Sequence, residues 1–350
     1  MKEIKLTLPK GNIRTIGKDY PVFIAAEIGV TCNYEMKRAK SLVDLASEAG
    51  ADAVKLAFHF AEDLLSDKTV TYKYPTTKGE QEENMFDMFN YLTFSFEEWK
   101  ELKQYCDDKN LLMFCSVAGG FKGIEWAEKL NLPMHKIGAW DLLDLSQFKR
   151  LNKSNIPLVI DVGTVYESEM EKFMNILKDV PTILLHEYHS PNYKEMNLNS
   201  IPYIEDKFNT LVGFSSPDTY DVNDFMSIAL GAVALEKRVT LDRNTEGHHH
   251  ILGKEPQEFI QWVKKVRQAE EALGELKIQP TQKDLEERKR FFKRIVASKK
   301  IKVGEIITPE HIACKRPNTN GIPSEKYDLV IGKISNRNYE YNEPIDETII

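Results

Sequence analysis

The stretch PVFIAAEIGV, residues 21–30, reads as a buried strand that ends on a carboxylate. Val22, Phe23, Ile24, Ala25 and Ala26 form an apolar run bounded by Pro21 and Gly29, the pattern of a strand covered on both faces. Glu27 closes it. A carboxylate is seldom buried without a partner, so this charge either faces a polar cavity at the strand's mouth or opens the next loop.

Seven further apolar pieces of the same kind follow, with ends near Lys55, Ser116, Lys136 to Ala139, Gly163, His189, Ser215 and Thr240. Segments with apolar residues at helical spacing separate them, among them 36–50, 95–110, 142–154 and 167–179. Strand and helix alternating eight times predicts an α/β fold, a (β/α)8 TIM barrel. Residues 61–93 interrupt the alternation with a long polar insertion carrying Pro75, Gly79 and an acidic patch at 80–83, a length suited to a lid or a subunit contact. Residues 255–276 read as the final barrel helix. Beyond it the composition changes. The barrel is expected over 1–276, a charged and poorly periodic linker over 277–291, and a small β-rich domain over 292–350, where short apolar pieces alternate with Gly, Pro and Asn turns.

The 350 residues, 42% of them hydrophobic, can bury a sizeable core. A net charge of -7 provides no basic field, which argues against nucleic acid or a membrane surface as the main partner. No apolar run approaches the ~18 residues of a membrane span, and a cytoplasmic location is the default expectation. Cys32, Cys106, Cys115 and Cys314 are far apart and contain no CxxC pair, so neither a disulfide framework nor a zinc cluster is indicated. Cys32, just past the first strand, is either a packed small residue or a site residue.

In such a barrel the active site lies at the C-terminal ends of the strands. The candidates there are Glu27, Lys55, Lys136, Asp141, Asp161, Glu187, His189, Ser215, Glu236 and Arg238, with His248, His249 and His250 in the loop after the last strand. Two lysines beside a carboxylate suit a small anionic substrate, because ammonium groups neutralise phosphate or carboxylate charge in a dry cavity. Strand alternation turns Glu187 and His189 to one side, and with His248 they form a workable ligand set for a divalent metal such as manganese or magnesium. The competing reading is a solvated loop with a chance histidine run.

These pieces resemble the sialic acid synthase family, which includes N-acetylneuraminate synthases and spore coat polysaccharide proteins. The resemblance rests on EIGV at 27–30, AGADAVK at 49–55, HKIG at 135–138, LLH at 184–186, GFS at 213–215, and LGAVALEK followed by TLDR at 240–243. Residues 294–350, with VASKKIKVGEIIT, KRPNTNGI and LVIGK, are similar to the family's antifreeze-like (SAF) domain. The resemblance implies condensation of phosphoenolpyruvate with an N-acylated hexosamine, such as N-acetylmannosamine, to a nine-carbon 2-keto acid and phosphate. Lys55 and Lys136 would hold phosphoenolpyruvate, Ser215 would touch its phosphate, and Glu27 would serve the sugar hydroxyl or proton transfer. Asp141, Arg243 and His249 fall at further substrate-binding places. Arg316 would reach from the small domain of a partner subunit, implying a domain-swapped homodimer.

The chain also departs from the family, which binds manganese through two histidines where Pro217 and Arg238 stand here. Val117, Ala139 and Thr31-Cys32 replace other family contacts, and His249 stands where the family has an acidic residue. Three explanations are open: a metal relocated to Glu187, His189 and His248; Arg238 acting as a permanent cation in its place; or a non-catalytic sugar-binding relative. A sugar-acid lyase or isomerase is a further enzymatic alternative.

Overall fold

Period-two alternation along each barrel strand divides its side chains between two cores. The structure, a computed structural model, describes residues 3–190, 192–216, 219–316 and 320–350. It divides into two units, 1–274 and 275–350. The first opens with an antiparallel hairpin of β1 (Glu3–Thr7) and β2 (Ile13–Gly17). Then come β3 (Phe23–Glu27) and β4 (Ala53–Ala57), the inserted antiparallel hairpin of β5 (Thr71–Thr76) and β6 (Gly79–Asn84), and β7 (Leu112–Ser116), β8 (His135–Ile137), β9 (Leu158–Asp161), β10 (Thr182–Glu187), β11 (Leu211–Ser216) and β12 (Ala234–Arg238).

Strands β3, β4 and β7 to β12 form a closed barrel with parallel pairing throughout, and β12 returns to β3 with Arg238 opposite Glu27. The expected TIM barrel is therefore present. Three strands stop two residues before their expected ends: β9 at Asp161 rather than Gly163, β10 at Glu187 rather than His189, and β12 at Arg238 rather than Thr240. The ladder ends there, with Glu187 paired to Ser215 as the last β10 rung.

Alternate residues facing the barrel interior, among them Phe23, Ala25, Phe114, Val159, Ile183 and Leu185, pack together. Ile4, Leu6 and Ile16 of the N-terminal hairpin join the same cluster and close that end. The opposite faces, such as Ile24, Val54, Met113 and Leu184, meet the helices in a larger core with Trp99, Phe173 and Trp262. Burying each such large apolar side chain stabilises the fold by about 1.5–3 kcal/mol. The helices begin where the sequence offers caps. Ser95 and Glu98 form a reciprocal capping box at Phe96–Asp108, so two otherwise orphaned backbone donors are satisfied.

The 61–93 insertion has structure of its own: a short helix Ala61–Leu64, the β5–β6 hairpin, and a helix Met85–Tyr91 capped by the Asn84 side chain. The second unit pairs β13 (Arg294–Ala297) with β14 (Ile312–Lys315) around its own core, which includes Ile295, Ile301, Ile307, Ile322, Tyr339 and Ile345. The expected 277–291 linker instead contains a helix, Gln282–Phe291, capped reciprocally by Thr281 and Asp284. Its apolar residues are too sparse to have marked it by periodicity, and the caps carry the signal. No helix among the described residues is long and apolar enough to cross a membrane.

Candidate active site

The alternation that places Ala25, Ala53, Met134, Val159, Leu185 and Ala234 inside the barrel puts the residue two positions later on the same face. Those residues are Glu27, Lys55, Lys136, Asp161, Glu187 and Glu236, and every one is charged. Arg238 follows Glu236 by two more. The last interior layer at the C-terminal mouth is thus ionic, stacked on an apolar interior.

Lys136 is 2% exposed, with its Nζ 2.6 Å from Glu236 Oε1 and 2.9 Å from Asp161 Oδ2. Lys55 Nζ lies 3.6 Å from the same Glu236 oxygen and 3.8 Å from Glu27 Oε1. Arg238 donates from Nε to Glu27 Oε2 at 2.7 Å. The Gly29 amide donates to Glu27 Oε1 at 2.9 Å. A Cβ on Gly29 would sit 3.0 Å from that oxygen and 3.2 Å from Leu56 Cα, so only glycine lets the turn close onto the carboxylate without displacement.

Burial opposes ionisation of Glu27, but Lys55 and Arg238 outweigh it and hold its pKa at about 2. Glu27 is therefore a carboxylate at any working pH. Burial likewise opposes the charge on Lys136, yet Asp161 and Glu236 keep it firmly protonated. Asp161 behaves oppositely: burial and the neighbouring Glu187 raise its pKa. Burial raises that of Glu187 too.

Ser215 is buried at the end of β11, opposite Glu187 on one side and Glu236 on the other. Asp141 lies in the turn Ala139–Asp141 after β8, where burial raises its pKa to about 6; no bond joins it to the ionic layer among the described contacts. Arg243 is not in that layer. Its Nε donates to the Gly253 carbonyl at 2.9 Å and its guanidinium pairs with Glu258, tying the last loop to the helix Pro256–Leu273. Arg316 belongs to the second unit, donating from Nε to the Phe291 carbonyl at 2.8 Å. Cys32 is a packed residue, its thiol pushed up to about 12 by burial.

The histidine run does not converge on one point. His248 Nε2 is 2.6 Å from Glu83 Oε1 of the inserted hairpin, and its ring lies 3.8 Å from that of Tyr74. His249 Nε2 is 3.1 Å from the Tyr72 hydroxyl, and the charges of Arg238 and Glu27 act on its ring. Its backbone is left-handed, with φ 62°, an uncommon conformation for a side-chain-bearing residue. His250 contacts Thr240 Oγ1 at 2.7 Å and Asn33 Oδ1 at 3.0 Å. The inserted hairpin therefore clasps the loop after β12 through Tyr72, which sequence reading did not single out, and Glu83, which it marked only as part of the acidic patch at 80–83.

The expected ligand set, Glu187, His189 and His248, makes separate contacts here. His189 Nε2 approaches Glu187 Oε1 only to 3.9 Å and its ring lies tilted beside Trp140, while His248 is engaged by Glu83. Arg238, at one family metal position, is a cation hydrogen-bonded to Glu27 and cannot ligate another cation. Pro217, at the other, lies outside the described residues. Among the described residues no group of three or more His, Cys, Asp or Glu is disposed to hold a metal. At the two positions where the family's histidines are expected the sequence has a proline and an arginine, and neither side chain offers manganese a ligand atom.

Comparison with known proteins gives this geometry a lineage. Residues 42–278 match the NeuB family and residues 294–348 the SAF domain. An uncharacterised protein of Methanocaldococcus jannaschii is 33% identical over 330 residues, covering 91% of this chain and 92% of that protein. The N,N'-diacetyllegionaminic acid synthase of Campylobacter jejuni is 30% identical over 332 residues, covering 93% and 98%. A crystal structure of an N-acetylneuraminic acid synthetase from Leptospira borgpetersenii, in complex with citrate, superposes with a TM-score of 0.70 at 25% identity, covering 82% of this chain and 96% of that one. The chain belongs to the NeuB family, the family of phosphoenolpyruvate-dependent nonulosonic acid synthases, and carries a SAF domain C-terminal to its barrel.

Proposed function

We propose that the chain condenses phosphoenolpyruvate with the open-chain aldehyde of an N-acylated hexosamine, giving a nonulosonic 2-keto acid and phosphate for cell-surface polysaccharide. The observation that carries this reading is the convergence of Glu27, Lys55, Lys136 and Arg238 in one buried layer of a NeuB-family barrel.

In this reading Lys55 and Lys136 face the carboxylate and phosphate of phosphoenolpyruvate, and Ser215 meets the phosphate from the end of β11. Carbon 3 of the enol attacks the aldehyde carbon. The oxygen that gains charge is met by Arg238, whose guanidinium is a permanent cation with fork-shaped donors. Water adds at carbon 2 of the resulting cation, its proton passing by way of the Glu27 carboxylate to the new alkoxide, and collapse of that intermediate expels phosphate. His249 and Tyr72 wall the acceptor side. Arg316 reaches the acceptor of a partner subunit in a domain-swapped homodimer, and the enzyme works in the cytoplasm.

The test is phosphate release from phosphoenolpyruvate with a panel of N-acylated hexosamines, comparing the wild type with Lys136→Gln. Loss of one charged donor should raise KM for phosphoenolpyruvate, or lower kcat, by about 100-fold. No release with any acceptor, or unchanged constants in the variant, would overturn the reading.

A further inference from the structure

The ionic layer holds four carboxylates, Glu27, Asp161, Glu187 and Glu236, against three cations, Lys55, Lys136 and Arg238. The excess is unevenly placed. Glu27 lies between Arg238, Lys55 and the Gly29 amide, so both of its oxygens are served. The deficit falls on the side of β9 and β10. There Lys136 gives one contact to Asp161 and one to Glu236, and Asp161 Oδ1, Glu187 Oε2 and Glu236 Oε2 are buried without any hydrogen-bond partner among the described residues. Asp161 is 5% exposed and Glu236 6%.

Native proteins rarely leave buried carboxylate oxygens without donors, because each forgoes its hydration with nothing in return. Phosphoenolpyruvate cannot supply the donors, since it brings only more negative charge. A ligand with an ammonium group can: it carries three N–H donors and one positive charge. There is room beside it. A cavity of about 680 Å3 opens next to Glu187, the one of these three carboxyl groups that lines it, among Trp140, His189, Met196 and Tyr203.

We infer that Asp161, Glu187 and Glu236 form an ammonium-binding subsite, and that the preferred acceptor is an N-acylated amino sugar bearing a second, unacylated amine. This rests on the condensation reading for the identity of the acceptor, but the subsite itself does not require turnover.

The experiment compares 2-acetamido-4-amino-2,4-dideoxymannose with its 4-N-acetyl twin in two readouts: phosphate release with phosphoenolpyruvate, and calorimetric binding of each sugar alone to the full chain. The free amine is expected to lower KM and Kd by about tenfold or more relative to the twin, the scale of charge-assisted hydrogen bonds. Glu187→Gln is expected to erase that difference while still binding the acetylated sugar. Equal constants for the two sugars in wild type, with or without manganese, would overturn the inference. So would tighter binding of the acetylated twin. If no sugar releases phosphate but the amine still binds more tightly, the condensation reading fails and the subsite stands.

Discussion

Arg238 donates to Glu27 across 2.7 Å, and in doing so joins the last strand of the barrel to the first at the rung where the two residues face each other. The rung that closes the barrel thus carries an ion pair. Arg238 gives the mouth a positive charge that no change of pH or chelator removes.

Removing that charge should expose the cost of the carboxylate it compensates. Glu27 is nearly buried and Arg238 19% exposed at the side chain. Arg238→Met should therefore destabilise the barrel by about 3 kcal/mol, the low end for an uncompensated buried charge because partial exposure screens it. The double variant Glu27→Gln/Arg238→Met should recover much of the loss. Urea denaturation checks both, and a single-variant change within about 0.5 kcal/mol would contradict the pairing.

Acidification should weaken the barrel in a definite window. Burial lowers the pKa of His59, His135 and His250 to about 4, below the ordinary histidine value. Such groups bind protons more readily unfolded than folded, so their stabilising contribution is complete above about pH 6.5 and lost as pH falls toward 4. Glu27, depressed to about 2, adds a loss of the same sign from about pH 4.5 downward. The raised pKa values of Asp141, Asp161, Glu187 and Asp224 act oppositely, favouring the fold as pH falls, but they are four groups against the seven histidines that burial lowers, His59, His135, His186, His189, His248, His249 and His250. The melting temperature should therefore drop between pH 7 and pH 4.5. A flat profile would contradict the burial assigned to these histidines.

The inserted hairpin should be held by its histidine contacts. His248 to Glu83 and His249 to Tyr72 join residues more than 160 positions apart. Glu83→Gln/Tyr72→Phe should leave the melting temperature nearly unchanged, since the hairpin lies outside the barrel core, yet raise amide exchange across 71–84 by about tenfold or more. It should also raise KM for the acceptor, because His249 loses its support. Unaltered exchange would show that other contacts hold the hairpin.

Gly163 is a further test of how Glu187 is placed. A Cβ there would fall 2.8 Å from the Glu187 carbonyl carbon, a clash with backbone that no rotamer relieves. Gly163→Ala should cost about 1–3 kcal/mol as the end of β10 is pushed aside. It should also weaken any ligand that depends on Glu187. A neutral substitution would mean that the strand end yields freely.

The barrel was legible because its strands are short apolar runs ending on charge, a signal carried by each strand alone. Lys55, Lys136, Asp161 and Glu236 were legible for the same reason, since each follows an inward apolar residue by two. Which carboxylate serves which cation was not, because Lys136 and Glu236 are 100 positions apart and meet only when the barrel closes. The histidine run misled in the opposite way. One of the three adjacent histidines was expected to join Glu187 and His189, and the left-handed turn at His249 and the hairpin's Tyr72, Tyr74 and Glu83 send the rings of the run to separate partners. Nothing in the insertion's local sequence announces those contacts.

The most direct test of the central claim is to measure phosphate and 2-keto acid together, in one reaction of phosphoenolpyruvate and an N-acylated amino sugar, with excess chelator present. Arg238 as the fixed cation predicts one-to-one formation of the two products at a rate the chelator leaves unchanged, and loss of both in Arg238→Met. Product formation abolished by the chelator and restored by manganese would contradict that account.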